Sequence, residues 1–207
     1  MKIPLRYQMS EYDCGPTAML NAVSYLFERE DIPPELIRNI MLYSLDCYDK
    51  NGVSGKRGTS CAAMMFLSNW LNGFGSIGQL SVSSSYLSGE HVFLGSSSLV
   101  EDALRRGGAV VARVLHDVWH YILLTGVEGD NIMVFDPYYQ QEPFAEAPDV
   151  QMVFDQPYRC NRIVPRERLN RQSLTLYAFG PTETREAVLL FNEKTKLTAE
   201  QTVEYMI

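Results

Sequence analysis

Ala109-Val110-Val111-Ala112-Arg113-Val114-Leu115, then Trp119-His120-Tyr121-Ile122-Leu123-Leu124-Thr125-Gly126-Val127, then Asn131-Ile132-Met133-Val134-Phe135 decide the fold class of this chain. Each run is short, apolar and rich in β-branched residues, as strands are. Glu128-Gly129-Asp130 separates the last two as a hairpin turn would. From about residue 109 onward the chain is therefore expected to be mainly strand, with further strands at residues 174–179 and 187–191.

Upstream the periodicity is different. Met19, Ala22, Val23, Leu26 and Phe27 fall on one helical stripe that begins at Cys14 and is stopped by Pro33-Pro34. Residues 34–44 form a second helix with proline in its first turn, and residues 60–71 a third, capped by Thr59 or Ser60 and stopped at Gly73. Residues 81–98 are rich in Ser and Gly and read as a loop or a short irregular sheet edge. Ser98-Leu99-Val100-Glu101 matches a capping box opening a short helix that ends by Gly107. Residues 140–156 hold two prolines and little periodicity, which predicts a long surface excursion that forms a flap near Asp136 and over a groove, and a last helix is expected near Thr198. Helices first and strands afterwards mean an α+β fold, two layers meeting along a groove. Residues 1–207 read as one domain, helical to 108 and mainly strand from 109, with no internal repeat.

Composition narrows the function. A formal net charge of -7 lacks the clustered Lys and Arg that phosphate binding needs, so nucleic acid is not expected as a partner. No run approaches the roughly eighteen apolar residues of a membrane span, and Met1-Lys2-Ile3-Pro4-Leu5-Arg6 has no apolar signal core. Cys14, Cys47, Cys61 and Cys160 are scattered, without zinc-site spacing or disulfide density. Free thiols in a reducing cytoplasm are the expectation. The oligomeric state is left open.

Chemistry concentrates on few residues. Cys14 stands where the first helix begins, so unpaired N–H groups and the positive end of the helix dipole favour its thiolate. Gly15 leaves the approach to the sulfur open, and Pro16 is tolerated in a first turn because its missing N–H is not needed there. Gln8 precedes Cys14 by six positions, near enough for its amide and the Cys14 N–H to form an oxyanion hole. His120 interrupts an apolar strand, where an imidazole needs a reason to be present. If the strands around Gly129 pair as a hairpin, Asp136 at the end of the second reaches His120 near the start of the first and orients it. Each also has a plainer reading: a buried core cysteine, a solvated glutamine, a satisfied histidine, and an aspartate in an Asp-Pro turn.

Taken together, Gln8, Tyr12-Asp13-Cys14-Gly15-Pro16-Thr17-Ala18, Gly58-Thr59-Ser60, His120-Tyr121-Ile122-Leu123-Leu124-Thr125-Gly126-Val127 and Asp136-Pro137 resemble the bacteriocin-processing peptidase family over roughly residues 3–140. Those are papain-like cysteine peptidases that cut leader peptides after a double glycine. The resemblance implies a papain-like two-layer fold with an active-site groove between the helical part and the antiparallel sheet. It further implies Cys14 as nucleophile, His120 as general base then acid, Asp136 as orienter, and Gln8 with the Cys14 N–H as oxyanion hole. Members of the family are typically joined to a membrane exporter and its ATPase; this chain reads as a stand-alone member.

Rivals are weaker. Cys61 also lies at an expected helix start, but no glutamine stands at the matching offset. His116 and His120 on one strand sit too far apart for one metal, and His91 reads as a surface residue. Residues 52–60 lack the glycine that a phosphate loop requires. The expectation is a cysteine peptidase acting on a peptide or protein substrate through an acyl-enzyme, with no metal and no organic cofactor. An acyl or peptidyl transferase using the same cysteine and a non-catalytic peptide-binding module of the same fold are the alternatives.

Overall fold

Strands β2 (Ala109–His116), β3 (Val118–Glu128) and β4 (Asn131–Phe135) stand side by side in the computed structural model, which describes residues 1–198. Val110 faces Leu124 and Val114 faces His120 across the first antiparallel pair. Leu123 faces Phe135 across the second, with an irregularity between Leu124 and Gly126. With β1 (Val82–Ser88), β5 (Gln151–Met152), β6 (Arg162–Pro165) and β7 (Glu186–Asn192) they form one antiparallel sheet in the order β1-β7-β2-β3-β4-β6-β5.

Both faces of the sheet are covered, which is why its central strands read as almost unbroken apolar runs. On one face Val111, Tyr121, Leu123, Phe135 and Leu190 meet Met19, Val23, Leu36, Ile40, Met64 and Leu67. These come from the helices α1 (Cys14–Leu26), α2 (Pro34–Ser44) and α3 (Cys61–Ser76). On the other face Val110, Ala112, Ile122, Leu124 and Val134 pack with Val100 and Leu104 of α4 (Leu99–Arg105), with Leu169 of α5 (Arg166–Asn170), and with Tyr177 and Phe179. Each such side chain, fully buried, contributes about 1.5–3 kcal/mol. The α+β expectation holds, with helices layered on an antiparallel sheet. Among the described residues no helix is long and apolar enough to cross a membrane.

Several local expectations need correction. Residues 82–88 are a sheet edge, as one of the two expectations had it, but a regular strand paired along its length with β7 rather than a loop or an irregular edge. Its buried Ser84 finds a partner in α3, Ser84 Oγ lying 2.8 Å from Ser68 Oγ, so low apolar content did not prevent pairing. Gly73 does not stop α3, which runs to Ser76. Gly75 lets it pass β1, since a Cβ there would lie 1.8 Å from the Val82 carbonyl oxygen. Only half of the capping box forms: Ser98 Oγ accepts from the N–H groups of Val100 and Glu101, while the Glu101 carboxylate pairs with Arg105 and Arg166.

Residues 174–179 are not a strand. Ala178 N–H closes a turn on Thr175 O, Phe179 N–H bonds Leu169 O, and Tyr177 adopts φ 62. The apolar character of the run comes from burial beneath the sheet. β6 and α5 had no signal strong enough to place them. The excursion at 140–156 is pinned by Phe144, Ala147 and Val150, which enter the second core. The helix expected near Thr198 lies outside the described residues.

Candidate active site

The start of α1 is built by Asp13. Its carboxylate accepts from Met9 N–H (3.0 Å), Ser10 N–H (2.7 Å) and the hydroxyls of Ser10 (2.6 Å) and Thr17 (3.3 Å), while its carbonyl accepts the Thr17 N–H at 3.0 Å. The 9–13 turn is thereby locked to the first helical turn, and Cys14 follows at the leading end of α1, 8% exposed. Gly15 also serves packing against Thr59. A Cβ on it would lie 2.2 Å from Thr59 Oγ1 and 2.7 Å from Thr59 Cβ. Its absence lets Gly58-Thr59-Ser60 close on the helix start. Ser60 then caps α3 through Ala63 N–H, and its N–H donates to Asp46 at 2.9 Å.

His120 and Asp136 meet across the β3–β4 hairpin. His120 Nε2 lies 2.7 Å from Asp136 Oδ1. Asp136 has no exposed surface, and its environment is made for an ion. Oδ1 also accepts Tyr138 N–H at 2.8 Å, and Oδ2 accepts the Tyr177 hydroxyl at 2.6 Å. Asn161 brackets the main chain of Asp136, accepting its N–H and donating to its carbonyl, both at 2.8 Å. Burial alone would raise the Asp136 pKa; the charge and hydrogen bond of His120, with the Tyr177 hydroxyl, bring it down to about 2. Burial likewise pulls His120 down, but the charge and hydrogen bond of Asp136, then those of Cys14, raise it to about 10. Ionised Asp136 holds the Nε2 proton in place, and Cys14 stands near enough to the ring to help raise its pKa.

Cys14, His120 and Asp136 are thus brought together. The main chain of Gln8 is held to the segment that carries Asp136, its N–H donating to Pro137 O at 2.8 Å, while its Nε2 donates to Ser10 O at 2.8 Å and its Oε1 is buried without a partner. A groove of about 790 Å³ opens beside Cys14. One wall is Glu11, Tyr12 and the loop from Cys47 to Cys61, and the other is Arg113, Trp119 and Tyr121. The segment 140–156 does not line this groove, which removes the expectation that it serves as a flap over it. Cys61 is exposed and lines the same wall as Glu11 and Tyr12. His116 packs into an aromatic cluster, its ring 5.4 Å from that of His120 and 5.8 Å from Phe144, and exposed His91 closes a single helical turn.

Three supporting residues escaped sequence reasoning. Asp13 adjoins Cys14 and could have been singled out as a buried turn former. Asn161 and Tyr177 follow Asp136 by 25 and 41 positions, and no local pattern announces that the chain returns there.

The chain belongs to the Peptidase_C39 like family, whose profile matches residues 1–158. Among solved structures it is similar to the peptidase domain of Streptococcus mutans ComA, at 11% identity and a TM-score of 0.40, covering 91% of this chain and 98% of that one. No curated protein matches it.

Proposed function

We propose that this protein is a cysteine peptidase in which Cys14 attacks the carbonyl of a peptide bond. The observation that carries the reading is the buried His120–Asp136 pair at 2.7 Å with Cys14, at the leading end of α1, near enough to raise the pKa of the same imidazole. A protonated imidazole beside a sulfur at a helix start favours thiolate and holds the proton that the leaving amine needs. The Cys14 N–H, free because it opens the helix, and the Gln8 amide are the proposed donors to the oxyanion. As the amine departs, His120 gives up its proton and the acyl group remains on sulfur. Water, deprotonated by His120, then releases the acid and restores the ion pair.

Membership of the Peptidase_C39 like family and the groove of about 790 Å³ beside Cys14 support a peptide substrate. The test compares wild type with Cys14→Ala on a peptide library and with an iodoacetamide-type thiol probe read at the Cys14 peptide. Cleavage lost in Cys14→Ala, together with a Cys14 that labels faster than glutathione, is the expected result. Equal turnover by both proteins would end the proposal.

A further inference from the structure

Behind Asp136, on the side away from His120, lies a second tier of buried groups that the reaction above does not use. Tyr177 is wholly buried, and its hydroxyl donates to Asp136 Oδ2 at 2.6 Å. Its φ of 62 lies in the left-handed region, which bulky residues rarely enter. Two main-chain bonds to β2 hold it there, Tyr177 N–H to Leu115 O at 2.8 Å and Leu115 N–H to Ala178 O at 2.9 Å. Phe144 and His116 enclose the ring, with centroids 5.6 and 6.2 Å away. The guanidinium of Arg162, itself 1% exposed, stands near enough to the Tyr177 hydroxyl to act on its pKa and is fixed by the carbonyls of Asn161 and Gln140. A cation, a phenol and a carboxylate therefore stand in line towards the imidazole. Backbone conformations of this kind persist where the surroundings over-determine them, and they gather at functional sites.

A carboxylate bonded through one oxygen can rotate about Cβ–Cγ and present either oxygen to its partner. Occupying Oδ2 prevents that rotation and keeps Oδ1 on His120 Nε2. We propose that Tyr177 is the positioning residue of this site, fixing and polarising Asp136 while Arg162 fixes Tyr177. The inference rests on the cysteine-peptidase reading above. The direction of the Asp136 shift agrees with it, since the Tyr177 hydrogen bond is one of the causes that lower it.

The test is the rate at which iodoacetamide alkylates Cys14 in the intact chain between pH 3 and pH 8, read by the mass of the Cys14 peptide. Tyr177→Phe keeps the ring and removes the hydroxyl. It is expected to slow Cys14 alkylation at pH 7 by about three- to tenfold, the order of the net contribution of one ordinary hydrogen bond. The acid limb of the profile should move to higher pH, because Asp136 loses a group that stabilises its ion. In an Asp136→Ala background the same change should cost nothing further, since the acceptor has gone.

An equal loss in both backgrounds, or an unmoved acid limb, overturns the proposal in favour of a purely structural tyrosine. A wild-type Cys14 that alkylates no faster than glutathione overturns the peptidase reading, and the positioning role with it. A fast wild type with an unchanged Tyr177→Phe overturns the positioning role alone. Should Tyr177→Phe fail to fold, fluorotyrosine placed at position 177 makes a stronger donor of the same shape and is expected to move the acid limb to lower pH. A profile identical to wild type would then overturn the proposal.

Discussion

His120 Nε2 stands 2.7 Å from Asp136 Oδ1 with both side chains withdrawn from solvent, so two opposite charges share one dry volume. Their effect on stability has a definite pH signature. Asp136 is held near 2, below the roughly 3.9 of an unfolded aspartate, so it stabilises the fold above about pH 4 and loses that effect as pH falls towards 2. His120 is raised to about 10 from roughly 6.5, so its contribution is complete below about pH 6.5 and disappears as pH rises towards 10. The melting temperature should pass through a plateau between about pH 4 and 6.5 and fall on both sides. Asp136→Asn should flatten the alkaline decline. Parallel melting curves for variant and wild type from pH 6.5 to 10 would show that this pair does not control it.

Asparagine and alanine at position 136 should also separate in turnover. Asparagine retains an oxygen for His120 Nε2 and the Tyr138 N–H but sets an amide against the Tyr177 hydroxyl, which must then reverse its role from donor to acceptor. Alanine removes every acceptor. Asp136→Ala is expected to lower kcat by roughly 10²- to 10⁴-fold, with Asp136→Asn losing less and KM changed little in either. Peptide turnover by the two variants, measured side by side, decides it. Equal losses would mean that charge matters and orientation does not.

Gly15 offers a test of packing rather than chemistry. A methyl group there would collide with Thr59, whose Oγ1 lies 2.2 Å from the ideal Cβ position and whose own Cβ lies 2.7 Å away. Gly15→Ala should destabilise the chain by about 1–3 kcal/mol, the usual cost of overpacking. Thr59→Gly in the same chain should recover part of the loss, since both colliding atoms leave. Denaturant midpoints of the two variants provide the measurement. A Gly15→Ala protein as stable as wild type would mean that the 58–60 segment shifts freely.

The contrast between Asp136 and Tyr177 explains how much of this site the sequence discloses. His120 and Asp136 lie on adjacent strands joined by Glu128-Gly129-Asp130, so hairpin geometry alone predicts their meeting. Tyr177 reaches the same carboxylate after an excursion, two short strands and a helix, through a left-handed turn that an apolar run disguises as a strand. Local pattern reports neighbours along a ladder; it does not report a chain that comes back. The same limit hid β1, whose serines carry strand geometry only because β7, about a hundred residues later, lies beside them. The helices were easier, since a stripe and a proline at the first position are local properties. Segment 140–156 was misjudged as a flap because its prolines are visible and the burial of Phe144 is not.

Gln8 is the proposed site residue least supported by its contacts, which makes its substitution informative. One amide hydrogen is spent on Ser10 O, and the second remains for an oxyanion. Its Oε1 is buried without a donor, so the amide is held by its own loop in a costly environment, as a group waiting for a ligand would be. If the amide stabilises the oxyanion, Gln8→Ala should reduce kcat by about 10²- to 10³-fold and leave KM nearly unchanged, because the interaction exists only once charge has developed. Gln8→Glu should do worse than alanine, since a carboxylate repels both the oxyanion and the Ser10 carbonyl. A Gln8→Ala enzyme with undiminished kcat and a lowered melting temperature would assign the residue to holding the 8–13 turn, leaving the Cys14 N–H as the site's main-chain donor.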